Sequence, residues 1–180
     1  MSWIIAQKPL GGFGHTQGYP LVSLTLFFIF FAASAAAAST GMLFPTGKWY
    51  QTLRKPAWTP PNWAFPVVWT TIYILIAIAG ARVAMVPGAG LAMAFWAAQI
   101  AFNAVWTPTF FGLRHWTASQ IVMAGLWLSV LGATVTHFMI DFWAGLAFVP
   151  YLLWVTVAAA LNRKVVTLNP GQKPLEIHKL

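Results

Sequence analysis

Charged residues divide the chain into long uncharged stretches. Lys8, Lys48, Lys55, Arg82, Arg114, Asp141 and Arg163 bound the windows 9–47, 56–81, 83–113, 115–140 and 142–162, the shortest of which is 21 residues. A helix that crosses a bilayer needs roughly 20 mainly apolar residues, so the pattern predicts five spans, near 21–44, 62–86, 90–112, 117–139 and 142–164. The first window has room for two, but Gly11, Gly12, Gly14, His15, Gln17, Gly18 and Pro20 make its opening half too polar and too broken for hydrocarbon. Runs such as LVSLTLFFIFFAA (21–33) are apolar at every position, whereas barrel strands alternate over about ten residues. The expected fold is therefore an all-α membrane protein, a bundle of five transmembrane helices. Residues 1–20 form an N-terminal extension, 21–168 the membrane domain and 169–180 a polar, mobile tail. The small-residue run ASAAAAS at 33–39 resembles a signal-peptide cleavage site; the stretch before it is long for such a peptide, and it is read as part of the first span.

The links at 86–90, 112–117 and 139–142 are so short that the helices they join must run antiparallel. The loop at 45–61 differs. It reads PTGKWYQTLRKPAWTPP, and a merely solvated linker has no need of Trp49, Tyr50 and Trp58, which prefer a membrane interface or a cavity mouth.

Pro66, Pro108 and Pro150 fall inside expected spans, where a freed carbonyl is tolerated beside neighbouring helices or a cavity. Helical spacing places aromatic and polar residues beside them: Phe65, Trp69, Tyr73 and Ile76 in the second span, Trp96, Gln99, Asn103, Trp106 and Phe110 in the third, Tyr151, Trp154, Ala158 and Asn162 in the fifth. Aromatic stripes of this kind serve a bundle core as readily as a pocket. The amides of Gln99 and Asn103 shift the balance, because facing lipid would be costly; they bond to neighbouring helices or meet a ligand. Together with Trp and Tyr faces they suit a large, flat, mostly apolar ligand with polar edges.

Hydrophobic residues make up 59% of the chain and only 10 Lys or Arg and 2 Asp or Glu are present, which excludes an ordinary soluble domain. The net charge of +8 could suit nucleic acid, but its distribution reports topology instead. With five spans, Lys48, Arg54, Lys55, Arg114, Arg163, Lys164, Lys173 and Lys179 share one side, against Lys8 and Arg82 on the other. That asymmetry predicts a cytoplasmic C-terminus and an external N-terminus. With no cysteine, thiol chemistry and disulfides are excluded.

The segments WYQTLRKPAWTPPNWAFPVVWTTIY (49–73), FNAVWTPTFFG (102–112) and PYLLWVTVAAALN (150–162) closely resemble the translocator protein family, also called tryptophan-rich sensory proteins or peripheral-type benzodiazepine receptors. The match runs in order from about Thr40 to Asn162, and the string W-Y-x-x-L-x-K-P-x-W-x-P-P is its most specific part. The resemblance implies a homodimeric five-helix membrane protein that needs no cofactor of its own and binds protoporphyrin IX or haem. Sterols and synthetic isoquinoline or benzodiazepine ligands are the further ligands it implies. Carried over by motif, Trp49 and Tyr50 belong to a lid, and Trp69, Asn103, Trp154 and Ala158 line the pocket, with Trp58, Phe65, Trp106 and Phe110 as neighbours. In mammalian relatives a tyrosine follows the Leu-Asn that ends the fifth span, within a sterol-recognition pattern. Here Leu161-Asn162 is followed by Arg163, which turns the expectation from sterol toward tetrapyrrole, and the relatives to a bacterial type.

The only acids are Asp141 and Glu176, far from the stripes, so the pattern contains no acid–base pair for catalysis, and no nucleotide, hydrolase or metal motif. His137 is expected to hydrogen-bond Asp141 at the membrane interface, and His15, His115 and His178 fall in tails or loops. Some relatives promote light- and oxygen-dependent porphyrin breakdown, which needs no such pair; Trp49 and Trp69 would then relay the oxidation. Sensing, transport and breakdown stand as alternatives. Lys48, Arg54 and Lys55 either steer an acidic ligand or act only as topology charges. The small residues Ala94, Ala97, Ala98, Ala101 and Ala104, and Ala32 to Ala38, allow close helix approach within one subunit or between two. Apolar spans favour a bacterial inner membrane, while some relatives are placed in outer membranes.

Overall fold

The computed structural model describes residues 19–175, with side chains from residue 24 onward; Lys8, His15, Glu176, His178 and Lys179 lie outside them. Five long helices and one short one follow in order: α1 (Tyr19–Leu43), α2 (Gly47–Thr52), α3 (Ala64–Val83), α4 (Gly90–Thr107), α5 (Trp116–Ile140) and α6 (Phe142–Leu168), with a π-helical turn, Pro108–Gly112, continuing α4. Among the described residues there is no strand. The protein is an all-α membrane protein. Four helices, α1, α3, α5 and α6, are long and apolar enough to cross a bilayer. The expected count of five spans is therefore not matched exactly: the helix left out is α4, whose 18 residues carry Gln99, Asn103, Trp96 and Trp106. The ASAAAAS run lies inside α1, with Ser34 and Ala37 buried.

The principal contacts join α1 to α3, α3 to α6, α6 to α5, α5 to α4 and α4 back to α1, which closes a ring. Lipid tails are as apolar as the helix surfaces, so association rests on close packing rather than on expulsion of water. Glycines supply the close approaches: a Cβ added at Gly80 would lie 2.9 Å from the Phe30 ring, and one at Gly145 would lie 2.7 Å from the Phe138 backbone. Phe30 also meets Trp96 edge to face, 4.5 Å between centroids, and the Trp96 indole donates to the Ile76 carbonyl at 2.9 Å. Buried hydroxyls turn back onto their own helices, as Ser34 does to Phe30 O and Thr134 to Val130 O. Leu24, Phe28, Ile29, Ile121, Leu128 and Leu153 face outward, a surface suited to lipid.

The two halves of the ring are filled differently. Ile72, Ile76, Val83, Leu126, Val130, Phe148 and Tyr151 pack a continuous core between the middle of the bundle and the end where α3 and α5 finish. Toward the other end the core thins to a small cluster of Leu53, Phe110, Leu161 and Val165 under the 45–61 loop. Exposed Trp58 and Trp63 mark the loop end, and exposed Phe142 and Trp143 the other, as interfacial aromatics do.

Three expectations change. Pro66 is the third residue of α3, in the first turn where no helical carbonyl is lost; the effective breaks are Pro108, which opens the π turn, and Pro150 inside α6. Of the tail predicted to be mobile after residue 168, the described residues 169–175 instead fold back onto the bundle, Leu175 N–H donating to Leu113 O at 2.9 Å. Asp141 pairs with Arg82 across 2.6 Å rather than with His137, whose Nδ1 meets the Ala133 carbonyl of its own helix at 2.8 Å.

Candidate ligand-binding site

Beneath the 45–61 loop lies a cavity of about 510 Å³. Its lid begins at Gly47, whose φ of 51° is left-handed and favours glycine, and continues as α2. Tyr50 points from α2 into the space and meets Phe111 edge to face at 5.2 Å; burial pushes its phenol above the ordinary value, keeping it a neutral donor. Trp49, one residue earlier, turns away. Its ring stacks on Trp116 at 5.7 Å, lies under the Arg114 guanidinium at 4.8 Å and donates through Nε1 to Gln172 Oε1 at 2.9 Å.

The lid is also tied from below. Arg54 N–H donates to Asn169 Oδ1 at 3.0 Å, while Asn169 Nδ2 donates to Arg54 O at 2.9 Å and to Val165 O at 2.8 Å. Residues 169–175 thus form a strap that binds both the lid and the 113–115 link.

The walls are aromatic. Trp106 stacks on Phe110 at 5.2 Å and 18°, and Phe110 meets Phe111 edge to face at 4.9 Å. The π turn explains how two successive residues both line the cavity: its hydrogen bond from Leu113 N–H to Pro108 O admits one extra residue per turn and re-aims the side chains, as such turns do at functional sites. On the facing wall Phe65 meets Trp154 at 5.5 Å, and Trp69 stacks on Tyr73 at 5.4 Å. Ala158, one turn after Trp154, leaves open space where a larger side chain would intrude.

Asn103 closes the floor. Its Nδ2 faces the hydroxyls of Tyr73 and Tyr151, each at 3.3 Å, linking α4 to α3 and α6. Among the described residues several buried polar atoms have no partner: Nε1 of Trp106 and Trp154, Oδ1 of Asn162 and both amide atoms of Gln99. The first three belong to lining residues and offer two donors and an acceptor to an occupant. Gln99 is fully buried one turn below Asn103, outside the lining.

Of the ten residues predicted for the site, Tyr50, Phe65, Trp69, Asn103, Trp106, Phe110, Trp154 and Ala158 line the cavity. Trp49 braces the lid from behind, and Trp58 is exposed; neither lines it. Phe44 at the end of α1, Gln51 and Asn62 of the loop, and Met123 and Leu126 of α5 complete the wall. Sequence reasoning missed them because Met and Leu at helical spacing read as core, and single polar loop residues as solvated. Among the described residues no group of His, Asp or Glu could hold a metal ion, and His115 caps α5, its Nδ1 accepting from Ala118 N–H at 3.2 Å.

A family model described as TspO/MBR matches residues 22–168. The chain is 51% identical over 160 residues to "Protein CrtK" of Rhodobacter capsulatus, covering 87% of this chain and all of that one. To a "Tryptophan-rich sensory protein" of Cereibacter sphaeroides it is 46% identical, with 80% of this chain and 91% of the relative covered. A "Translocator protein" of Sus scrofa is 32% identical, with 69% and 77% covered.

Proposed function

The chain belongs to the TspO/MBR family, and from that premise we propose that its cavity binds a tetrapyrrole, protoporphyrin IX or haem, and that the protein acts as a membrane sensor or transporter of that ligand. The observation that carries the reading is the space of about 510 Å³ between aromatic walls, within the range of about 300–1,000 Å³ typical of small-molecule sites. Stacked and edge-on rings favour a flat π system, and the unpartnered indole and amide atoms suit a ligand with a few polar edges. The missing tyrosine after Asn162 makes a neutral sterol the second choice.

Spectroscopic titration with protoporphyrin IX tests this reading in wild-type protein and in Trp69→Ala and Asn103→Ala. The expected result is saturable binding, weakened in both variants; no saturable binding by the wild type would end it. Flux of porphyrin across sealed vesicles separates transport from sensing.

Porphyrin breakdown is the enzymatic alternative. A relay through Trp49 and Trp69 loses one member, since Trp49 sits behind Phe110 at 6.2 Å and outside the lining, while Trp69 keeps Tyr73 and Tyr151 as aromatic neighbours. Illumination with porphyrin and oxygen should give an open-chain product beyond that formed on an inert porphyrin-binding protein if this chemistry operates.

Lys48, Arg54, Lys55, Arg114, Arg163, Lys164 and Lys173 cluster toward the lid end, and Arg82 toward the other, which supports a cytoplasmic lid and C-terminus. Ala94, Ala97 and Ala101 of α4 face outward, unused by the bundle, and support the homodimer that the family implies. Cross-linking in a bilayer that captures only monomer would count against it.

A further inference from the structure

We infer that Lys55 is a carboxylate-recognition residue of the cavity, so that the site selects anionic amphiphiles over neutral ligands of the same shape; the inference rests on the tetrapyrrole reading above and names the chemical feature that the site reads. Among the described residues Lys55 is the only cation that lines the cavity. Its ammonium is held in place by donation to Tyr50 O at 2.6 Å and to Leu53 O at 3.3 Å, and it lies 4.4 Å from the centre of the Tyr50 ring. An ammonium has three N–H donors; two are committed to these carbonyls and one is free.

Charge balance supports the same conclusion. Among the described residues the single ion pair is Arg82 with Asp141, at the opposite end of the bundle, and Lys55 has no carboxylate partner. A half-buried cation fixed at a cavity wall without a counter-ion is an unfinished ion pair, and a ligand carboxylate completes it with a charge-assisted hydrogen bond. The other lid cations are placed differently: Lys48 and Arg54 are exposed and do not line this cavity, and the Arg54 backbone is engaged by Asn169.

The lining also differs from one part of the chain to another: Thr46, Gln51, Lys55 and Asn62, between α1 and α3, add polar groups, whereas Trp69, Met123, Leu126 and Val155 of the long helices add a mostly apolar wall. A ligand with acid groups on one edge of an apolar disc enters with the disc against the tryptophans and an acid at Lys55. A neutral molecule of the same shape gains the first contact only.

Protoporphyrin IX and its dimethyl ester, titrated into the purified full-length protein in lipid nanodiscs, separate the two contributions. The wild type should bind the diacid about tenfold more tightly than the ester, the size of one charge-assisted hydrogen bond. In Lys55→Gln, which retains amide donors for the two lid carbonyls, the diacid should fall to the ester's affinity while the ester is unchanged. Lys48→Gln should keep the wild-type preference at moderate salt. An unchanged diacid-to-ester ratio in Lys55→Gln overturns the inference, as does an equal loss for both ligands, which would make Lys55 only a lid brace. If neither porphyrin form binds the wild type, the tetrapyrrole reading fails first and the inference with it; binding of both forms without discrimination overturns the inference alone.

Discussion

Asn169 grips the backbone of Arg54 from both sides, accepting its N–H at 3.0 Å and donating to its carbonyl at 2.9 Å. One side chain from the end of α6 thereby imitates a strand partner for the lid. Asn169→Ala should leave the bundle folded but loosen the lid, since each net hydrogen bond contributes about 0.5–1.5 kcal/mol. The expected result is porphyrin dissociation several-fold faster with little change in thermal midpoint, read by stopped-flow fluorescence. Equal dissociation rates would show that the strap does not restrain the lid.

The floor predicts a different signature. Asn103→Ala removes the amide facing the Tyr73 and Tyr151 hydroxyls and leaves the fully buried Tyr151 phenol without it, which costs about 1–3 kcal/mol for an unsatisfied buried group. Both stability and porphyrin affinity should fall. Tyr73→Phe, which removes one hydroxyl and keeps the stacking with Trp69, should cost less in affinity than Asn103→Ala, and isothermal titration in detergent measures the difference.

Acid should weaken the far end of the bundle. The Arg82 guanidinium bonded to Asp141 holds its carboxyl below the ordinary 3.8, and donation by Ala144 N–H acts in the same direction. A folded-state value depressed in this way adds stability that is present above the unfolded value and lost as pH falls through the folded one. The loss therefore begins below about pH 4 and, with the pair 43% and 24% exposed, amounts to no more than about 1 kcal/mol. Asp141→Asn retains an N-cap acceptor for α6 and should flatten this acid dependence in thermal unfolding between pH 3 and pH 5.

Glycine substitutions map the packing. Gly145→Ala drives a methyl against the Phe138 backbone, which cannot swing aside, and should destabilise by about 1–3 kcal/mol. Gly41→Ala meets nothing within 4 Å and should be stable to within about 0.5 kcal/mol. Thermal unfolding of the two variants in one detergent makes the comparison; equal midpoints would contradict the tight α5–α6 contact.

Three helices announced their part in the site through chemistry that a lipid-facing surface does not carry. Trp69, Asn103 and Trp154 recur at helical spacing among aromatics and amides, so the cavity's walls could be read from composition along one face. The contribution of α5 could not, because Met123 and Leu126 also belong to the buried core and the same side chains serve either purpose. The strap was invisible for another reason: Asn169 and Gln172 are ordinary polar tail residues, and their role depends on long-range bonds to Arg54 and Trp49, 115 and 123 positions away. Likewise, motif position put Trp49 in the lid beside the ligand, while the turn of α2 sends its ring to Trp116.

The ring of long helices has an odd membership, and parity has a consequence. If neighbours alternate in direction, an even ring closes on itself, but a ring of five must place one pair side by side in the same sense. That pair is α1 and α4, whose macrodipoles repel where every other joint has them opposed. The frustrated joint is spanned by Phe30, set against Gly80 of α3 and Trp96 of α4, so dispersion between rings must offset an electrostatic mismatch that no rearrangement of loops could remove.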